Sequence, residues 1–364
     1  MSFRKIEYLE WARTHMGRVK YDLARSNIAG LSRAELGLTA EHLQLSAPDD
    51  EGVAELRILL AKRYGVSRSQ VLVTSGATMG IYLACCAVLS PRDQILLESP
   101  CYEPLQKAAL ERGAELRSLE RRFERGFQIE LEDLERHIGR ATRAILLTNT
   151  HNPSGAATSP EKMQSIGQMA RDTGATVIVS EVYLDSAFVP GLKPAATLGP
   201  NLVSIGSLSK VYGLGGLRIG WIVAAEPLIQ NARLALDYIE CDLPIPSETI
   251  ALEALRRAPE LAERCRAIAL ANFKIIGDWV GGRTDLAWVK PDGGTVCLVK
   301  LPAGVDSLPL SALLREKHST LVVPGDFFGL RGFIRVSAGM HEETLRQGLK
   351  HVARSIDELK KSSP

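Results

Sequence analysis

A lysine and an arginine stand eight residues apart in a loop otherwise made of glycine, hydroxyl and apolar side chains, Ser207-Leu208-Ser209-Lys210-Val211-Tyr212-Gly213-Leu214-Gly215-Gly216-Leu217-Arg218-Ile219-Gly220. Lys210 has no acidic neighbour there and is flanked by Leu208 and Val211. Desolvation disfavours an ammonium, so such an amine has a lowered pKa and is free for Schiff-base chemistry with a carbonyl. Arg218 carries a planar fork suited to a phosphate. Taken alone, a loop lysine is a solvated surface charge and the glycines mark a turn. A dinucleotide fingerprint is only approximated, because Arg218 stands where the third glycine belongs and residues 219–225 read as a strand rather than a helix.

Strand-like runs feed this loop and several others. Residues 201–206 form an apolar run just before it, and residues 71–74 lead through Ser75-Gly76-Ala77-Thr78 into a long apolar helix reaching about Val88. A small, hydroxyl-bearing turn at a helix N-terminus offers free backbone N–H groups to an anion. Residues 95–99 run into Pro100-Cys101-Tyr102, residues 144–148 into Asn149-Thr150-His151-Asn152-Pro153-Ser154-Gly155, and residues 176–179 into Ser180-Glu181-Val182-Tyr183. Helical periodicity covers residues 4–18, 52–65, 228–279, 308–318 and 342–360. Residues 295–300 and 333–337 read as further strands.

Ser-x-Ser-Lys with Arg-x-Gly eight residues on, together with the Asn-x-x-Asn-Pro-Ser-Gly loop and the Pro-x-Tyr turn, resembles the class I/II aminotransferases, the fold-type-I enzymes of pyridoxal phosphate. The likeness spans roughly residues 50 to 340. It implies an α/β fold: a large domain (46–280) with a mostly parallel seven-stranded sheet between helices, and a small α+β domain made of both chain ends (1–45 and 281–364). It also implies pyridoxal 5'-phosphate held by Lys210 as a Schiff base, with Lys210 moving the substrate α-proton.

By the same resemblance, Gly76, Ala77, Thr78, Ser207, Ser209 and Arg218 hold the phosphate, and Tyr102 stacks on the pyridine ring. Asn152 and Tyr183 bind the phenolic oxygen, Arg335 grips the α-carboxylate, and Ser26 and Asn27 approach the substrate. Amino-acid and 2-oxo-acid substrates and a homodimer with its sites at the interface are further implications. Two positions depart from the pattern. No tyrosine stands in residues 45–51, where many members carry one that reaches the neighbouring subunit's phosphate. Where the family has the aspartate that keeps the ring nitrogen protonated, this chain has Ser180, 28 residues after Asn152. Serine can hydrogen-bond an unprotonated nitrogen but supplies no charge, and strand alternation points Glu181 to the opposite face.

Because transamination dominates the resembled family it is the first expectation, and β-elimination, replacement or cyclisation, favoured by Ser180 in place of the aspartate, is the second. The second is also favoured by a partial similarity to the capreomycidine synthase-like subgroup at Leu9-Glu10-Trp11, Gly206 to Leu214 and Leu321 to Gly325. A non-catalytic ligand-binding module is a third reading, and the chain has no room for a fused DNA-binding domain. Composition is that of an ordinary soluble globular protein. The 364 residues are 45% hydrophobic and 24% charged, with a formal net charge of +2, which suggests neither nucleic acid nor a membrane surface as partner. Six cysteines show no Cys-x-x-Cys pair and no zinc-like spacing with the seven histidines, so no metal is expected. Buried thiols and a charged N-terminus point to the cytoplasm.

Overall fold

A computed structural model describes residues 3–43, 45 and 53–362. The tyrosine-free stretch thus lies almost wholly outside the described residues. Helix α1 (Glu7–His15) precedes the two-residue strand β1 (Tyr21–Asp22) and helix α2 (Ala54–Tyr64), which stops at Gly65 in the left-handed region. Strands and helices then alternate: β2 (Val71–Thr74), α3 (Ala77–Val88), β3 (Gln94–Ser99), α4 (Glu103–Glu111), β4 (Glu115–Glu120), α5 (Leu131–His137), β5 (Thr142–Thr148), α6 (Pro160–Thr173) and β6 (Thr176–Ser180). β7 (Leu202–Ser207) and β8 (Gly220–Val223) flank the lysine loop. After helices α7 (Glu226–Leu236), α8 (Ile245–Arg256) and α9 (Ala258–Gly281) come β9 (Ala287–Trp288) and β10 (Val296–Lys300), then α10 (Ser307–His318). The chain closes with β11 (Thr320–Leu321), β12 (Val323–Pro324), β13 (Phe333–Ser337) and α11 (Glu342–Ser362).

Seven strands make one sheet in the order β2-β8-β7-β6-β5-β3-β4, parallel except that β8 runs antiparallel to both of its neighbours. Alternate side chains of each strand fill two cores. Leu97, Leu146, Ile178 and Ile205 pack with α3 on one face, and Leu96, Leu147, Val179 and Met163 of α6 on the other. Strands buried on both faces need apolar residues throughout, which is why these segments read as continuous hydrophobic runs. A four-stranded antiparallel sheet, β12-β13-β10-β9, forms the smaller layer with α10 and α11.

One expectation shifts. The periodic 4–18 segment is helical only over Glu7–His15. Its start is fixed by Glu103, whose carboxylate accepts the Glu7 and Tyr8 N–H groups, and its end by an extended Met16. The 24-residue α9 also serves two cores. Leu261 and Cys265 pack against the lysine-loop side, whereas Ala269, Phe273 and Ile276 pack under the smaller sheet.

Candidate active site

Carboxyl ends of parallel strands leave a crevice where the loops part, and this fold uses it. A cavity of about 190 Å³ opens there, lined by Thr78, Tyr102, Asn152, Ser180, Tyr183, Ser207, Ser209, Lys210 and Arg218 among others. A larger open groove of about 510 Å³ lies off the β4 edge and reaches neither Lys210 nor Arg218.

Lys210 is half-buried by surface because the cavity reaches it, yet its amine sits deep. Burial first, then repulsion from Arg335 and Arg218, pull its pKa from 10.5 to about 8. Its Nζ donates to Ser26 Oγ at 2.7 Å. The Ser26 carbonyl in turn accepts from Tyr183 OH at 3.0 Å and from Thr295 Oγ1 at 2.8 Å. Residues 22–29 are thus a strap drawn across the lysine loop. Asn27 does not line the cavity, and its amide donates to the Ile28 carbonyl.

The anion cup lies at the other end. Gly76 precedes α3 with φ +89°, and a Cβ there would stand 2.4 Å from Arg218 Nη2. A Cβ on Gly220 would stand 2.7 Å from the Ala77 nitrogen. Only glycine lets these backbones and the guanidinium converge. Arg218 itself has φ +55°, and its Nη2 donates to the Ser75 carbonyl at 3.1 Å. The free N–H groups at the start of a 12-residue helix, one guanidinium and the Thr78, Ser207 and Ser209 hydroxyls therefore face one space.

Ser180 ends β6 in register with Thr148 of β5 and Ile205 of β7 and faces the cavity. Glu181 points to the α6 side, where its Oε1 accepts the Ala195 N–H and its carboxyl also bonds Ser204. Burial pushes Glu181 up to about 8. Among the described residues, no carboxylate lines the cavity. Tyr102 is held by a side-chain bond with Thr78, and burial raises its phenol.

Asn152 Oδ1 accepts from Arg335 Nη1 at 3.2 Å, which leaves its NH₂ group as a donor. Its backbone N–H is held by Thr148 Oγ1, which donates to Glu98, and Glu98 is paired with Arg121 at 2.8 Å, both fully buried. His151 is a neutral brace outside the cavity lining, bonded to the Pro100 carbonyl and Ser154; burial and Arg121 lower its pKa. Tyr183 lines the cavity, but its one hydroxyl proton is spent on Ser26. Arg335 lies just behind Asn152, fully buried, stacked on Tyr8 and Phe328. The Ser26 contact with Lys210 and the Tyr8 contact with Arg335 leave no sequence motif, since both arise from the N-terminal strap and helix docking far along the chain.

The residues present fit a phosphate-bearing aldehyde. The Gly76–Gly220 cradle would be closed by any Cβ, the cup is cationic, and Thr150 Oγ1 is buried in the cavity wall with no hydrogen-bond partner. A desolvated lysine beside an anion cup, at the carboxyl edge of this sheet, defines the class of pyridoxal phosphate enzymes. The chain belongs to the aminotransferase class I and II family, which it matches over residues 28–352, and its cofactor is pyridoxal phosphate. It is similar to capreomycidine synthase of Streptomyces vinaceus, 28% identical over 362 residues that cover 95% of this chain and 92% of that protein. A PLP-dependent aminotransferase from Streptococcus suis shares the fold with a TM-score of 0.92 at 26% identity, over 99% of both chains. The PLP-dependent cyclase OrfR does so with 0.90 at 27% identity, over 98% of both.

Proposed function

We propose that this enzyme moves an amino group between an amino acid and a 2-oxo acid, with Lys210 as cofactor anchor and proton-moving base. One observation carries the reading: the buried Lys210 amine opens into the same cavity as the anion cup of Arg218 and the α3 N-terminus, in a chain of the aminotransferase class I and II family. Pyridoxal phosphate bound there supplies an electron sink for charge developing at the substrate α-carbon. The free amides at Ala77 and Thr78, with the Thr78, Ser207 and Ser209 hydroxyls and Arg218, would hold the phosphate dianion, while Gly76 spends its N–H on the Thr74 carbonyl and serves as the Cβ-free floor. Tyr102 would pack on the ring, and the Asn152 NH₂ would donate to the phenolic oxygen. Tyr183 would donate to that oxygen only once its proton leaves the Ser26 carbonyl. Arg335 binds the α-carboxylate. Ser26 Oγ holds the free Lys210 amine in line with the cavity.

Ser180 favours a second reading, elimination, replacement or cyclisation at the β-carbon. In a cavity without a carboxylate, a serine hydroxyl can bond the ring nitrogen but cannot keep it charged. The similarity to capreomycidine synthase supports this as well. An amino-donor screen that follows 2-oxo acid, ammonia and cyclised product together separates the two. Lys210→Ala should remove the visible colour of the lysine-bound cofactor, and a coloured, borohydride-reducible variant would refute the anchor. We place the enzyme in the cytoplasm, as a homodimer; among the described residues no helix is long and apolar enough to cross a membrane. Ile58 on α2 and Leu234, Tyr238 and Ile239 at the end of α7 are exposed apolar side chains, available for a second copy to cover.

A further inference from the structure

Arg335 has fewer free donors than a carboxylate site requires. Its Nη2 donates to Tyr8 OH at 2.9 Å and to the Ala24 carbonyl at 3.0 Å, so both hydrogens on that nitrogen are used. One Nη1 hydrogen goes to Asn152 Oδ1. What remains is the buried, unpartnered Nε–H and one Nη1 hydrogen. A guanidinium presents two-pronged faces only through Nε with Nη2 or Nη1 with Nη2. A carboxylate therefore meets an occupied Nη2 on either face. The Ala24 carbonyl can only accept, and it would repel the anion. The Tyr8 hydroxyl is different: it accepts from Arg335, and its own O–H has no acceptor among the described residues.

We propose that Tyr8 is part of the substrate-carboxylate site, accepting from Arg335 in the free enzyme and donating to the incoming carboxylate beside it. This rests on the reading of Arg335 as the carboxylate residue. Tyr8 is 4% exposed, and its ring is fixed by Trp11, Tyr102, Phe327 and Phe328 with centroids 5.8 to 6.5 Å away. Its backbone N–H is pinned by Glu103 at 2.7 Å, so the hydroxyl is held in place before substrate arrives. Pre-positioned in this way, it adds a hydrogen-bond donor to those that Arg335 keeps free. Helix α1 thereby becomes a wall of the substrate site, and the class of ligand it selects is one carrying a carboxylate next to the reacting amine.

L-Alanine and ethylamine differ only in that carboxylate, and binding of each to the cofactor-loaded enzyme is read from its visible spectrum. Wild type is expected to prefer L-alanine. Tyr8→Phe, which keeps the ring packing, should cut that preference about tenfold by weakening L-alanine alone, as loss of a hydrogen bond to a charged group does. Its cofactor spectrum and melting temperature should hold. Arg335→Lys should cut the preference further. If Tyr8→Phe matches wild type while Arg335→Lys does not, the proposal is overturned and the reading of Arg335 stands. An equal fall for both amines, with a lower melting temperature, would make Tyr8 a packing residue and also overturn it. No preference in wild type, or none lost in Arg335→Lys, overturns both.

Discussion

At position 210 the protein keeps an amine where an ammonium is costly. The fall from 10.5 to about 8 corresponds to roughly 3 kcal/mol. Because the folded value lies below the unfolded one, the unfolded chain binds more protons between about pH 8 and 10.5. Stability of the cofactor-free protein should therefore rise with pH across that window, and below about 8 it carries the whole penalty. Lys210→Met is expected to raise the melting temperature of the cofactor-free protein at pH 7 while abolishing colour. Cofactor capture by the cofactor-free wild type should speed up with pH through about 8; a rise delayed to about 10.5 would show a solvated amine. Ser180→Asp should change the spectrum and increase transamination, whereas Glu181→Gln, on the other face, should leave the spectrum unaltered. A spectral change in Glu181→Gln alone would mean that strand alternation misassigns the ring-nitrogen contact.

That alternation shows which residue contacts could be read without coordinates. Ser180 against Glu181, Tyr102 after Pro100 and the Gly76–Thr78 turn are local patterns, and each lies where strand period or helix start puts it. Ser26 against Lys210, and Tyr183 against Ser26, join residues 184 and 157 apart. No local pattern encodes such a pairing, because it depends on how the strap docks.

Among elements, the junction of α3 and β8 is tightly constrained. Gly220→Ala would drive a Cβ to 2.6 Å from the Gly76 carbonyl carbon, so α3 and its free N–H groups must move. Cofactor affinity should drop at least about tenfold while Lys210 keeps its chemistry, seen as slower capture restored by excess cofactor. Unchanged affinity would mean that the cup does not hold the phosphate. The elements themselves were largely readable. The 52–65 helix with its glycine stop, the strand before the lysine loop and the 333–337 strand lie within a few residues of their expected limits. Helix α1 is shorter than its periodicity because Glu103, 96 residues from Glu7, supplies its cap. A cap delivered from so far along the chain leaves nothing to read beside the helix.

For the whole molecule, the exposed α2 and α7 side chains make the assembly testable. Tyr238, 94% exposed, is expected to be covered in the proposed homodimer. Tyr238→Glu should shift the sedimentation of the enzyme toward the monomer and lower cofactor retention with it; an unchanged sedimentation coefficient would place the contact elsewhere. The strap joins the two layers from within. It bonds the lysine loop through Ser26 and Ile28 and the small sheet through Leu23 and Ala24.

The continuous helix α9 sets the kind of motion this architecture permits. One unbroken rod is embedded in both hydrophobic layers, so the smaller layer cannot swing freely on a loop: tilting it means flexing the rod between Cys265 and Ala269. Any tilt of the smaller layer is therefore expected to be small and elastic rather than hinged.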